Sequence, residues 1–389
     1  MLVATNVLGK FLSIIIWAYA ARLFNPTEFA LLGYLRNVQS TLISALNFGY
    51  TNYIIKKTVY KGAGKKQLLL RTFGAYIAIF GGISFFIATI VGIYNESQLP
   101  WYLYGVGAVS AISILYIQVI IALTQAGDRF GSTVLFNFYP LTVALGLLFC
   151  WFVFDFTFVI FAFSAINVSF ALIYYSYWRI TNPQRSQYRL KYKVILGHWY
   201  CAFRLTGFPF IAGIPLIFTK LHIETSFMLN QSSQMAMYYL SYMIFSTSMT
   251  ILNSASQPLF IRINKFPEHS KSFVNTFSNF LLMLLISSVV LNTPVYIFEY
   301  YFANYDPKEL NYYINLCVVL ALTMSIRQGF GRLMMVYGKT SGFAWDNIIT
   351  TLILLIFAFW GYKDPSQYLI VTIICSVISN VIFGIYLVE

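Results

Sequence analysis

The chain has 389 residues, 59% of them hydrophobic and 10% charged, with a formal net charge of +13 and a mean hydropathy of +0.71. So much apolar surface leaves no room for a water-soluble domain. The lysines and arginines fall in alternate polar gaps rather than on one soluble face, which argues against a nucleic-acid partner. Apolar runs of about 20 residues, each enough to cross a hydrocarbon core of about 30 Å, recur throughout. They predict an all-α polytopic membrane protein with about twelve spans, at 2–22, 29–53, 72–94, 101–124, 133–153, 158–178, 203–222, 235–257, 274–295, 310–335, 342–361 and 367–388.

The first hairpin carries polar residues on one face of each helix. In span one, Asn6, Lys10, Ser13 and Trp17 recur at steps of four, three and four. In span two, Arg36, Ser40, Ser44, Asn47 and Thr51 share a face, with Leu35, Val38, Leu42 and Leu46 opposite. A basic side chain at mid-bilayer costs roughly 2.5–3.5 kcal/mol, so Lys10 and Arg36 are expected to line a wet cavity. The other reading has Lys10 snorkelling to an interface and Arg36 pairing with Glu28. Asn25 as cap, Pro26 as first residue and Glu28 as third make a helix N-terminus. Ala18-Tyr19-Ala20 resembles a signal-peptidase site, but Lys10 interrupts the preceding run and a second span follows at once, so a retained helix is expected.

A basic loop follows from Lys56 to Arg71, suited to anionic headgroups. Gly74, Gly81 and Gly82 in span three favour close helix contact. Gly127-Asp128-Arg129-Phe130 makes a tight turn, and Pro140 is expected to kink span five beside Asn137. The longest connection, Arg179 to Phe203, is basic and interleaved with Tyr188, Tyr192, Trp199 and Tyr200, which fits an interfacial helix. It divides the chain into an N-terminal lobe (1–180), a cytoplasmic basic linker (181–202) and a C-terminal lobe (203–389).

The second half repeats the first weakly. Asn47 precedes Lys56 by nine residues, as Asn253 precedes Arg262. Span eight has its own stripe of Tyr239, Tyr242, Ser246, Thr250, Asn253 and Gln257, which is expected to face a cavity. Further cations, Arg22, Arg204, Arg327 and Arg332, lie inside spans or near their ends, Arg204 and Arg332 equally suiting an interface. Intramembrane carboxylates are expected to be nearly absent, apart from Asp346 early in span eleven, placed to neutralise an arginine. Even-numbered gaps hold most of the loop cations, whereas the odd gaps hold only Lys220, Lys308 and Lys363 alongside Glu96, Asp155, Glu224, Glu299, Asp306 and Glu309. By the positive-inside rule both termini are cytoplasmic and the odd loops face outward.

No catalytic, metal or cofactor site is predicted. Gly338-Lys339-Thr340 has Leu333 where a phosphate-binding loop needs its leading glycine, and no strand precedes it. His198, His222 and His269 are far apart, and Cys150, Cys201, Cys317 and Cys375 are isolated. A membrane-bound polymerase or glycosyltransferase needs an acid, base or metal group and usually a large outer loop, and no gap here exceeds about 25 residues.

Several segments together carry a family resemblance: Ala21-Arg22-Leu23-Phe24-Asn25-Pro26-Thr27-Glu28-Phe29 leading into span two, Leu46-Asn47-Phe48-Gly49-Tyr50 before Lys56-Lys57, the Gly127-Asp128-Arg129-Phe130 turn, and Tyr337-Gly338-Lys339 after span ten. With twelve spans split six and six, the chain resembles the Wzx-type polysaccharide flippases of the multidrug/oligosaccharidyl-lipid/polysaccharide (MOP) exporter superfamily, which also contains the multidrug and toxin extruders (MATE). That resemblance implies two six-helix lobes in a V and no enzymatic activity. It also implies export of an undecaprenyl-pyrophosphate-linked oligosaccharide, an O-antigen or capsule repeat unit, across the bacterial inner membrane. It suggests a monomer in the bilayer, with a polysaccharide polymerase and a chain-length regulator as candidate partners. Lys10, Arg22, Arg36, Arg204, Arg327 and Arg332 are then the expected pyrophosphate-binding set, and Asn47, Tyr239, Tyr242, Ser246, Asn253 and Gln257 the expected sugar contacts. The alternative within the superfamily is a MATE-like multidrug or cation antiporter, which uses intramembrane acids.

Overall fold

The computed structural model describes residues 2–47, 50, 53–54, 66–94, 99–125, 138–181, 192–243, 246, 305–336, 341–361 and 363–388, and every regular element among them is helical. In chain order these are α1 (Leu2–Leu23), α2 (Pro26–Asn47), α3 (Lys66–Tyr76), α4 (Gly82–Tyr94), α5 (Tyr102–Gln125) and α6 (Tyr139–Val153). There follow α7 (Phe156–Thr181), α8 (Tyr192–Asn230), α9 over 232–243, α10 (Pro307–Val336), α11 (Ser341–Trp360) and α12 (Pro365–Val388). A π-helical turn, Ile77–Gly81, joins α3 to α4.

The surface of these helices is inverted relative to a water-soluble protein. On α12, Ile370, Ile374, Val377, Val381 and Ile385 form an exposed apolar stripe, while Cys375, Ser376 and Ser379 are buried. Phe359, at the end of α11, is 88% exposed. Apolar outside and polar within is the arrangement that lipid as solvent favours. Six helical stretches among the described residues are long and apolar enough to cross a membrane, including Leu68–Ile93, Tyr102–Thr124 and Pro365–Leu387. The chain is a multi-pass membrane protein.

The start of α2 is a reciprocal capping box. Glu28 N–H donates to Asn25 Oδ1 at 2.8 Å, Asn25 N–H donates to Glu28 Oε2 at 3.1 Å, and Pro26 occupies the first helical position, where no N–H is needed. The same order of residue types opens two later helices. In Asp306-Pro307-Lys308-Glu309, at α10, Asp306 Oδ1 accepts the Lys308 N–H at 3.0 Å. In Asp364-Pro365-Ser366-Gln367, at α12, Asp364 Oδ1 accepts the Ser366 and Gln367 N–H groups at 2.8 and 3.1 Å. Gly361 ends α11 at φ 79°, a left-handed conformation that glycine adopts without cost.

Three sequence expectations change. Pro140 does not kink a helix: α6 begins at Tyr139, so the proline sits in its first turn, where a missing N–H breaks no helical bond. Of the three glycines near the π turn, Gly81 lies against Ile112, whereas Gly74 and Gly82 have open space. The aromatic, basic segment before span seven is not a separate interfacial helix over its described part. It is the beginning of α8, whose 39 residues reach about 58 Å, roughly twice a hydrocarbon core. Packing fixes that extension. His198 Nδ1 and Tyr53 Oη are 2.5 Å apart, Trp199 Nε1 donates to Thr72 O at 3.3 Å, and the Trp199 ring meets Tyr76 and Phe80 edge-on.

The chain forms two compact units. One comprises residues 3–34 with 211–389, and the other residues 35–210. In the first unit, α12 packs along α10 and against α11; in the second, α7 packs on α5 and α6, and α4 on α5.

The three caps lead to a prediction. Asn25→Ala removes one cap and is expected to destabilise the first unit by about 1 kcal/mol. The check is the melting temperature of purified protein in detergent, which should fall while helical content is kept. An unchanged melting temperature would show that the box does not stabilise the helix start.

Candidate transport site

Among the described residues, the first unit buries two carboxylates. Glu224, on α8, is 3% exposed and Asp346, on α11, is 1% exposed. An ion cut off from water survives only when charges and hydrogen bonds around it replace its hydration.

Asp346 is matched from two neighbouring helices. Arg327 Nη2, from α10, donates to Oδ2 in an ion pair, and Ser379 Oγ, from α12, donates to Oδ1. The arginine side chain remains 21% exposed and also donates to Met324 Sδ at 3.6 Å. Asn380 Nδ2 donates to Thr323 O at 3.0 Å, a second tie between α12 and α10. One carboxylate thus joins three helices whose outer faces are apolar.

Glu224 is held by hydroxyls. Tyr239 Oη, on α9, donates to Oε2 at 3.3 Å, and Tyr368 Oη, on α12, donates to Oε1 at 3.4 Å. Tyr238 stacks on Tyr242 with ring centroids 5.8 Å apart and also meets Tyr368. One residue beyond the glutamate, Thr225 Oγ1 lies 2.8 Å from Tyr34 Oη, which brings α2 to the cluster. Space for the Tyr239 ring comes from Gly33, where a Cβ would stand 2.3 Å from Tyr239 Cγ. Lys220, one helical turn before Glu224, lies within electrostatic reach of Glu224, Asp346 and Arg327.

The second unit has a smaller polar cluster of opposite character. Arg36, half-buried on α2, acts electrostatically on Tyr139 of α6, whose hydroxyl donates to the buried Asn167 of α7. Asn167 Nδ2 in turn donates to Phe163 O at 2.6 Å. The apolar face of α2 is buried at Leu35, Val38 and Leu46, while Ser40 is exposed and Asn47 half-buried. Between Leu35 and Phe210 the only carboxylates in the sequence are Glu96, Asp128 and Asp155, and none falls within a helix described above.

The residues singled out from sequence have separate fates. Arg327 and Asp346 form the expected neutralising pair. Tyr239 is buried on Glu224, Tyr242 is half-buried in the tyrosine stack, and Ser246 is half-buried with its hydroxyl on Met243 O at 3.0 Å. Arg22 and Arg204 are exposed on α1 and α8. Ser13 and Trp17 are buried in packing, Trp17 against Phe29, so that part of the α1 stripe does not line a wet face. The side chains of Lys10 and Arg332 lie outside the described residues. So do Asn253, Gln257, span nine, the Lys56–Lys65 stretch, the Gly127–Phe130 turn and Tyr337-Gly338-Lys339.

Glu224 corrects two expectations. It is not in an outward loop but inside α8, and with Asp346 it shows that buried acids are present. The signal was the Lys220-x-x-x-Glu224 spacing, which puts both side chains on one helical face. Lys220, counted with Glu224 in an outward gap, likewise lies inside α8. Tyr34 and Tyr368 carried no sequence signal, because a tyrosine in an apolar helix looks like packing.

No protein-family model and no curated protein matches the sequence, but solved structures share its fold. The Vibrio cholerae MATE transporter VcmN in its bent form is 11% identical, with a TM-score of 0.64 over 99% of this chain and 93% of that one. The eukaryotic MATE transporter AtDTX14 is 14% identical, with a TM-score of 0.66 over 100% and 93%. A MOP superfamily transporter from Pyrococcus furiosus, described by the reverse polarity of its binding pocket, is 10% identical, with a TM-score of 0.62 over 99% and 94%. The fold is therefore the all-helical one of the MATE and MOP transporters.

Two predictions follow from the buried charges. Arg327→Met strands Asp346 and is expected to cost about 3–5 kcal/mol, whereas Arg327→Met with Asp346→Leu should recover most of that loss. Melting temperatures of the two variants decide it, and equal losses would mean that the pair is not the structural tie. Gly33→Ala, where the added methyl collides with Tyr239, should lower the melting temperature far more in the wild-type background than in Tyr239→Ala. Equal drops in both backgrounds would contradict the close approach.

Proposed function

We propose that this protein is a flippase that moves an undecaprenyl-pyrophosphate-linked oligosaccharide from the inner to the outer leaflet of a bacterial cytoplasmic membrane by alternating access. The observation that carries this reading is the sign of charge in the second unit. Arg36 sits half-buried and acts electrostatically on Tyr139, whose hydroxyl is bonded to Asn167, in a unit with no carboxylate on any described helix. A guanidinium there suits a pyrophosphate, because its planar fork donates two hydrogen bonds at once and these strengthen where water is scarce. For the Pyrococcus furiosus transporter, reverse polarity of the binding pocket is described as suggesting a different function.

Lys10, Arg22, Arg204 and Arg332 are further candidates for the anionic headgroup. Arg327 is the weakest of the set, since its guanidinium is engaged by Asp346. Tyr242 and Ser246, together with Asn47, Asn253 and Gln257, are candidates for sugar contacts, through ring stacking and hydroxyl recognition. Tyr239 is committed to Glu224. In this reading both termini are cytoplasmic, the lobes span 1–180 and 203–389, and a polymerase and chain-length regulator receive the product.

A second reading, a MATE-like cation antiporter, is favoured by one observation: Glu224 is a buried carboxylate ringed by tyrosine hydroxyls. One experiment separates the two. In cells that depend on this protein for surface glycan, Arg36→Ala should abolish export at near-normal protein level, and Arg36→Lys should restore part of it. Normal glycan in Arg36→Ala cells would rule out the flippase reading, and drug or cation extrusion that survives Arg36→Ala but not Glu224→Gln would establish the antiporter.

A further inference from the structure

Among the described residues of the first unit, two acids and two bases come together, Glu224 and Asp346 with Lys220 and Arg327, and their charges cancel when all four are ionised. The groups acting on Lys220 include Arg327, Glu224, Cys375 and Asp346, so both acids are within its electrostatic reach. Its own helix places it one turn from Glu224, on the same face. The other groups that approach Glu224 are the hydroxyls of Tyr238, Tyr239 and Tyr368, all neutral. Arg327 and Ser379 occupy the two oxygens of Asp346. The hydroxyls stabilise the Glu224 carboxylate without cancelling its charge, and among the described residues the cation acting on it is the Lys220 ammonium.

We propose that Lys220 is a resident counter-ion: it takes the electrostatic place beside Glu224 that a sodium ion or a proton would otherwise fill, so that this unit binds no small cation from solution. The inference rests on reading the chain as a transporter and is independent of which cargo it carries. Its physical basis is the cost of an uncompensated charge away from water, which a side chain tethered one turn away removes with no ion taken up. Removing the tethered cation leaves one surplus negative charge, and the site must then recruit sodium or a proton. Lys220 in this role sets coupling: with it, the transport cycle draws on no ion gradient through this unit.

The test uses purified full-length protein in detergent, with radioactive sodium as probe and with thermal midpoints measured from pH 5 to 9. Wild-type protein should show background sodium binding and the same midpoint in sodium chloride as in choline chloride. Lys220→Met should gain either one saturable sodium per chain or a new pH-dependent step in its midpoint. Lys220→Met combined with Glu224→Gln should lose that gain. Saturable sodium binding by wild type that Glu224→Gln abolishes would overturn the proposal, as would a Lys220→Met protein that acquires neither property. Should Lys220→Met fail to fold, the wild-type sodium measurement decides alone. None of these readouts involves glycan, so a failed export assay and a failed counter-ion remain distinct results.

Discussion

Asp346 is the point on which the first unit depends. Its carboxylate is almost fully removed from solvent, on a helix whose outer face is apolar, and it holds Arg327 from one neighbour and Ser379 from another. Apolar contact alone gives helices in lipid little reason to prefer one partner over another, since lipid tails are as apolar as leucine. A buried ion pair does supply a preference, because a helix that moves away leaves a charge without its partner. Register among α10, α11 and α12 follows from that single constraint. Gly33, Tyr239 and Tyr368 extend the same logic to α2, α9 and α8 through Glu224.

The two units differ in how they treat charge. Among the described residues of the first, the buried acids Glu224 and Asp346 have the bases Lys220 and Arg327 near them. In the second, Arg36 acts electrostatically on the Tyr139 hydroxyl, and no carboxylate lies on a described helix. The proposed anionic cargo rests on Arg36 and not on the fold, which is shared with MATE and MOP transporters.

Much of the helical framework was legible in the sequence, because a membrane span writes its length directly into hydropathy. The spans expected at 101–124, 342–361 and 367–388 correspond to α5, α11 and α12 within two residues at each end. Asn25-Pro26-Thr27-Glu28 was readable as a helix start because caps are local chemistry. Pairing of Asp346 with an arginine was also readable, since a lone acid in a span needs a cation. What was not legible depends on long-range contact. Tyr239 reads as one member of a polar stripe until Glu224 is seen behind it. The α8 extension reads as an interfacial segment until His198 and Trp199 find Tyr53 and Thr72. Pro140 reads as a kink because hydropathy starts the span before the helix begins.

We propose that an anionic lipid-linked cargo moves outward without a coupling ion. Such a cargo carries negative charge from a negative interior, and each elementary charge crossing the full field gains roughly 2.3 kcal/mol per 100 mV, so two charges gain about 4–5 kcal/mol. The most direct measurement is flipping of an undecaprenyl-pyrophosphate-linked oligosaccharide in reconstituted vesicles, under an imposed membrane potential with no proton or sodium gradient. Flipping that rises with the potential, and persists when sodium is replaced by choline at symmetric pH, is the predicted result. Flipping that appears only with a proton or sodium gradient, whatever the potential, would contradict it.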